Sequence, residues 1–220
     1  MTFDLEKEAL RASGLKSSDR ISYYSGKLDS LYQEFVTIAP SSLGEPIAKA
    51  RALFEWLWRE KPSRYHAHGS FRLNEIIDAQ MSEDSQRVGN CLGLTVLYNC
   101  LLRKMGINAG AAWLEYAFDT GPHVLTVLPA KERVIDIENI LPDGFDYNGH
   151  LNDPSRRLWE DKELVADIYN SSGTEFLEKG ELHEALRNYD LALQLSPQYE
   201  RAHLNKAILL DKIERDQQEN

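Results

Sequence analysis

The sequence predicts an α+β fold in which helices pack on a small antiparallel sheet and a second, helical unit follows. Three observations predict it. Apolar residues recur every three or four positions through most of residues 18–60, which is the spacing of a buried helix face. Between residues 110 and 137 they alternate, as in half-buried strands. Helical spacing returns after residue 164, so we expect an α+β domain over 1–160 and helices over 161–220.

Two long helices are expected first. Ser18 or Asp19 suits the cap of the first helix, and Pro46 suits the first turn of the second. The proline- and glycine-containing run 40–46 separates them. The two buried faces are Ile21, Tyr24, Leu28, Leu31, Phe35 and Ile38, and then Ile47, Ala50, Leu53, Phe54, Leu57 and Trp58.

The middle of the chain changes from helix to sheet. A short helix is expected around Leu73–Met81, and a longer one from about Asn90 with Gly106 as its C-terminal cap. Residues 138–160 have no regular period. The expected strands are Gly110–Phe118, His123–Leu128 and Arg133–Ile137, with turns at Gly121-Pro122 and Pro129–Glu132.

The C-terminal helices carry a pattern that resembles the tetratricopeptide repeat, with Ala166 as its first position and Tyr199 as its last. A plain two-helix hairpin is the alternative. So short a repeat segment cannot bury its faces alone, so we expect it to pack on the preceding domain or on a partner. The matching positions are Tyr169, Gly173, Phe176, Gly180, Ala185, Tyr189, Ala192 and Pro197.

Composition narrows the function classes. The 220 residues are 42% hydrophobic and 27% charged, with a net charge of −10. This acidic balance argues against nucleic acid and anionic membrane as partners, which need clustered Lys and Arg. No apolar run is long enough to span a bilayer, and the charged start Met1–Glu8 lacks a signal-peptide core. We therefore expect a cytoplasmic protein.

The two cysteines, Cys91 and Cys100, are expected to be free thiols of different kinds. Nine positions apart on one helix, they are too distant to form a disulfide. Cys100 lies in mid-helix and fits a core position. Cys91 falls in the first turn, where backbone N–H groups and the helix dipole stabilise a thiolate. Gly89 and Gly93 beside it leave room for a substrate backbone.

A thiolate nucleophile needs a histidine, and the histidine needs an acceptor that orients it. If the hairpin turn pairs Leu128 with Arg133, then His123 and Asp136 share one face as diagonal neighbours. The same register places Glu138 directly opposite His123, so Glu138 is a rival for the orienting role. A register slip of one residue would separate them.

The order of a helix-start cysteine, a Gly-Ile pair, a strand histidine and an aspartate on the next strand resembles the transglutaminase-like superfamily, which has a papain-type core. The match covers roughly residues 70–140. One bacterial branch is similar over more of the chain. Its members have a segment like Leu73-Asn-Glu-Ile before the helix and tetratricopeptide repeats after the domain. They have Pro-Gly-His at the histidine, where this sequence has Gly121-Pro122-His123 with Gly and Pro exchanged. The residues that carry the resemblance are Gly89, Cys91, Leu101, Gly106, Ile107, His123 and Asp136.

The resemblance implies a cysteine hydrolase or acyl transferase acting on an amide or peptide bond. Cys91 would be the nucleophile, His123 the base and Asp136 the orienting carboxylate. The Cys91 N–H would donate to the oxyanion. The second donor is unassigned, with Gln86 a candidate by residue type alone. A protein or peptide is the expected substrate or partner. Because members of that branch often lack the cysteine, a non-catalytic interaction protein with the same fold is the alternative.

No cofactor is expected. His66 and His68 have a spacing that binds zinc from a strand, and His150 and Asp153 have the residue types to complete a site. No Cys-x-x-Cys or His-Glu-x-x-His accompanies them, so a surface or loop role is favoured. No glycine-rich phosphate loop follows a strand either, so no nucleotide site is expected.

Overall fold

Helices flank a four-stranded antiparallel sheet in the computed structural model, which describes residues 3–39, 44–118, 121–131 and 133–218. This confirms the α+β organisation. The helices in the described part are α1 (Leu5–Ala12), α2 (Ser18–Ile38), α3 (Pro46–Glu60), α4 (Leu73–Met81), α5 (Cys91–Lys104), α6 (Asp161–Glu178), α7 (Leu182–Leu195) and α8 (Glu200–Gln218). The strands are β1 (Gly110–Ala117), β2 (Gly121–Pro129), β3 (Val134–Ile137) and β4 (Arg157–Trp159).

Two short elements, α1 and β4, are not among those predicted from the sequence. Helix α1 is only 8 residues long, and its start is capped by Asp4, whose side chain accepts a hydrogen bond from the Lys7 amide. Strand β4 has 3 residues, too few for any alternation to show. It completes the sheet beside β1, where Trp159 stacks on Trp113 with ring centroids 5.6 Å apart. Residues 1–2 of the charged start, residues 40–43 of the predicted break and Glu132 of the predicted hairpin turn lie outside the described residues.

The strands lie in the order β3-β2-β1-β4, and β2 is buried along nearly its whole length. Gly121 and Pro122 are part of β2 rather than a turn, because Gly121 pairs with Ala117 across a bulge. The register between β2 and β3 also differs from the prediction. Strand β2 continues through Pro129, so Leu128 pairs with Ile135 instead of Arg133. The shift of two residues leaves every side chain on its predicted face.

The two faces of the sheet have different neighbours. Helix α5 packs on the face of Val124 and Thr126; the Thr95 hydroxyl on this helix donates to the Val124 carbonyl at 3.2 Å. The opposite face has a smaller apolar cluster that includes Leu114 and Leu125. His123 stands on this second face because it pairs directly with Leu114.

The C-terminal helices pack on the rest of the chain. The first half of α6 contributes Leu164 and Ile168 to the main core, and Arg103 on α5 holds Asp161 at 2.9 Å. Helix α7 folds back on α6 at Gly173, where a Cβ would lie 2.6 Å from the Tyr189 ring. Only glycine allows this close approach.

None of the helices in the described ranges is both long and apolar enough to cross a membrane.

Candidate functional site

Cys91 is the first residue of α5, and its surroundings fix the helix start. The Asn90 side chain accepts a hydrogen bond from the Gly93 amide at 3.1 Å, which caps the helix. The Asn90 amide in turn donates to the Ser70 carbonyl at 3.0 Å. Among the described residues, none accepts a hydrogen bond from the Cys91 amide, so this N–H is free to bind an oxyanion. The Cys91 side chain is half-buried.

The glycines beside Cys91 serve packing and not substrate access, which corrects the sequence expectation. A Cβ on Gly89 would lie 2.1 Å from Ile76 Cδ1, and one on Gly93 would lie 2.6 Å from the same atom. The space that the missing side chains leave is therefore filled by α4. Close packing of α4 against the start of α5 holds Cys91 in place.

His123 is buried and held by a carboxylate. Its Nε2 lies 2.8 Å from Glu138 Oε2, and the two residues are 4% and 0% exposed. This bond leaves Nδ1 as the ring nitrogen available to Cys91. Burial lowers the pKa of His123, but hydrogen bonding to Cys91 and to Glu138, together with their negative charges, outweighs it and raises the pKa to about 10. His123 is therefore held as an imidazolium between two acidic groups.

Asp136 does not contact His123, and the rival carboxylate Glu138 takes the orienting position. Asp136 forms a two-pronged ion pair with Arg156, with distances of 2.7 and 2.8 Å. The reason is the shifted register, which moves Asp136 opposite Val127, two residues further from His123 than its predicted partner Leu125. Glu138 follows the end of β3, and its side chain reaches back to the ring. The prediction of a shared face was correct, but the choice of Asp136 as the partner was wrong.

His150 completes the buried cluster, and sequence reasoning did not place it there. Its Nε2 lies 3.6 Å from Glu138 Oε2, beyond hydrogen-bond range. Phe118 sits edge-on to both histidines, with ring centroids 5.2 Å from His123 and 5.0 Å from His150, and Tyr147 packs on His150 at 5.1 Å. Burial lowers the pKa of His150, against the raising effect of the Glu138 charge. This histidine comes from the irregular segment 138–160, which carries no periodic signal.

Tyr65 is a second residue near the site without a sequence signal. Burial raises its pKa, and the negative charges of Cys91 and Glu138 raise it further. Its position is set by a bridge to Gly89. Tyr65 therefore lies in the neighbourhood of Cys91.

The remaining candidates lie elsewhere. Cys100 is 1% exposed in mid-helix, and burial raises the pKa of its thiol well above the usual range, which makes it inert. Gln86 is exposed. His66 and His68 pack edge to face at 6.1 Å, and His150 joins His123 and Glu138 instead of them.

Comparison with known proteins adds no relative: no family model, no curated protein and no solved structure matches this chain.

Proposed function

We propose that the protein is a transglutaminase-like cysteine hydrolase or acyl transferase that acts on an amide or peptide bond. The observation that carries the proposal is the buried His123 imidazole between Cys91 and Glu138, which together raise its pKa to about 10. A thiolate paired with an imidazolium at a helix start is the arrangement that nucleophilic thiol catalysis needs.

The reaction would proceed in two steps. The Cys91 sulfur attacks the carbonyl carbon and forms an S–C bond, and the Cys91 N–H donates to the developing oxyanion. The C–N bond then breaks while His123 gives its proton to the leaving amine. Water or an amine attacks the resulting thioester, and His123 takes up the proton. Water yields a carboxylic acid and an amine yields a new amide; either releases Cys91.

The test is the reactivity of Cys91 toward iodoacetamide in the folded protein, read by peptide mass mapping. We expect His123→Gln to slow alkylation of Cys91 by about tenfold or more, because the cation that stabilises the thiolate is lost. Buried Cys100 is the internal control, since it stays unlabelled while the chain is folded. An unchanged Cys91 rate in folded His123→Gln protein would contradict the proposal.

Substrate turnover is the second test. Peptide amides are offered with and without a primary amine, and Cys91→Ser protein is the matched control. We expect amide cleavage or amine incorporation that Cys91→Ser abolishes. The product also decides between hydrolysis and transamidation, because only the second incorporates the amine.

The alternative function is a non-catalytic interaction module, with the C-terminal helices as a tetratricopeptide-like binding segment. One observation favours it. A cleft of about 600 Å³ lies between β4 and α8, and Leu158 and Leu204 on its walls are 68% and 60% exposed. Large exposed apolar side chains beside a cleft are typical of protein-binding surfaces. This alternative gains support if the alkylation of Cys91 does not depend on His123.

A further inference from the structure

His150 is a buried imidazole without a hydrogen-bond partner on the atom that faces the site. The residue is 8% exposed, and its Nε2 is buried and bonds to none of the described residues. Leaving a buried polar atom unsatisfied costs about 1–3 kcal/mol, so such an atom calls for an explanation. The nearest acceptor, Glu138 Oε2, is 3.6 Å away.

The ligand atoms around His150 have the arrangement of a metal site. One ring nitrogen each from His123 and His150 and one Glu138 carboxylate oxygen all lie within 4.8 Å of one another. A zinc ion bound to imidazole nitrogen and carboxylate oxygen sits about 2.0–2.2 Å from each ligand, so only small side-chain movements would bring all three into contact. Three protein ligands leave a further coordination position open.

The ligand set also selects the kind of metal. Two imidazoles and one carboxylate suit divalent transition metals, whereas Ca²⁺ and Mg²⁺ prefer sites made of oxygen atoms. Phe118 packs edge-on against both histidines and Tyr147 packs against His150, so aromatic rings flank two of the three ligands. His150 is the most exposed of the three, at 8%.

We propose that His123, Glu138 and His150 bind a divalent transition metal ion of the zinc type, and that the bound ion inhibits the Cys91 site. The binding needs only these three side chains. The inhibition rests on the proposed function: a metal ion that binds Nε2 displaces the Nε2 proton to solvent and replaces the bond to Glu138, so that His123 becomes a fixed ligand and is no longer an imidazolium. Metal binding and thiol catalysis then compete for the same imidazole.

Binding is tested by titrating Cys91→Ser protein with Co²⁺ and following the visible absorption of the bound ion. We expect one ion per chain, and binding weakened about 100-fold or more by the additional change His150→Gln, since one of three ligands is lost. The matched control is His66→Gln with His68→Gln, which removes the other histidine pair and should bind Co²⁺ normally. Binding that survives His150→Gln, or that disappears with the His66 and His68 changes, would overturn the site.

A second measurement covers the case in which His150→Gln does not fold. X-ray absorption of the zinc-loaded unaltered protein should show nitrogen and oxygen neighbours only. A sulfur neighbour would place Cys91 or Cys100 on the metal and refute the proposed ligand set.

Inhibition is tested by the iodoacetamide rate of Cys91 with and without Zn²⁺. We expect Zn²⁺ to slow alkylation about tenfold or more in the unaltered protein and in the His66, His68 double variant, and to have no effect in His150→Gln. An equal rate with and without Zn²⁺ in the unaltered protein refutes inhibition. If Cys91 is unreactive even without metal, the proposed function fails, while Co²⁺ binding to Cys91→Ser still decides the metal site.

Discussion

The substitution Glu138→Gln tests the part of the site in which structure and sequence disagree. It removes the charge next to His123 and keeps an amide oxygen that accepts a hydrogen bond. The pKa of His123 stands at about 10 against an ordinary value of 6.5. At about 1.4 kcal/mol per pKa unit, this difference is about 5 kcal/mol in favour of the imidazolium, supplied by Cys91 and Glu138 against the cost of burial.

The expected fall in the His123 pKa follows from these opposing contributions. An opposite charge in hydrogen-bond contact moves a pKa by about 1–3 units, so Glu138→Gln should lower the His123 pKa by that amount. The sign is clear, because removing an anion removes stabilisation of the charged ring while burial continues to favour the neutral one. His123 would then lose its proton closer to neutral pH, and the positive charge beside Cys91 would be lost with it.

The assay is NMR titration of the ¹⁵N-labelled imidazole of His123 in unaltered, Glu138→Gln and Asp136→Asn proteins. Asp136→Asn is the matched control, because Asp136 is an equally buried carboxylate on the same face but pairs with Arg156. We expect little change in the His123 pKa there, although the unpaired Arg156 costs about 3–5 kcal/mol of stability. A large fall in Asp136→Asn with none in Glu138→Gln would refute the assignment of Glu138.

Two further predictions concern the C-terminal helices. Gly173→Ala should lower the free energy of unfolding by about 1–3 kcal/mol, because the added Cβ would meet the Tyr189 ring. The control Gly26→Ala, whose Cβ would have nothing within 4 Å, should raise the free energy of unfolding by about 0.4–1 kcal/mol. Thermal unfolding of the two variants measures both changes. The pKa of Asp167 is raised from 3.8 by burial, against the hydrogen bond from Tyr199, so the folded state holds this proton at a pH where the unfolded chain has lost it. Stability from this group is present below about pH 3.8 and lost as pH rises through the folded-state pKa, so unfolding curves should depend less on pH in Asp167→Asn over that window.

Much of the fold follows from periodicity, and the misses have a common cause. Helix α2 was predictable because it buries a stripe at helical spacing from Ile21 through Phe35. Helix α1 and strand β4 are too short to show a spacing. Their positions come from tertiary contacts, such as the stacking of Trp159 on Trp113. The spacing of apolar residues along the sequence does not reveal such contacts.

For the candidate site, too, strand alternation predicts some residues, whereas tertiary contacts determine the others. Strand parity depends only on alternation, so the prediction that His123 shares a face with Asp136 and Glu138 survives a register shift of two residues. The choice between the two carboxylates depends on where the turn begins, and that is decided by whether Pro129 stays in the strand. His150 depends on neither rule, because the path of the irregular segment alone brings it to Glu138. His150, which no sequence pattern predicts to lie at the site, is thus the residue on which the proposed inhibition of Cys91 by a metal ion depends.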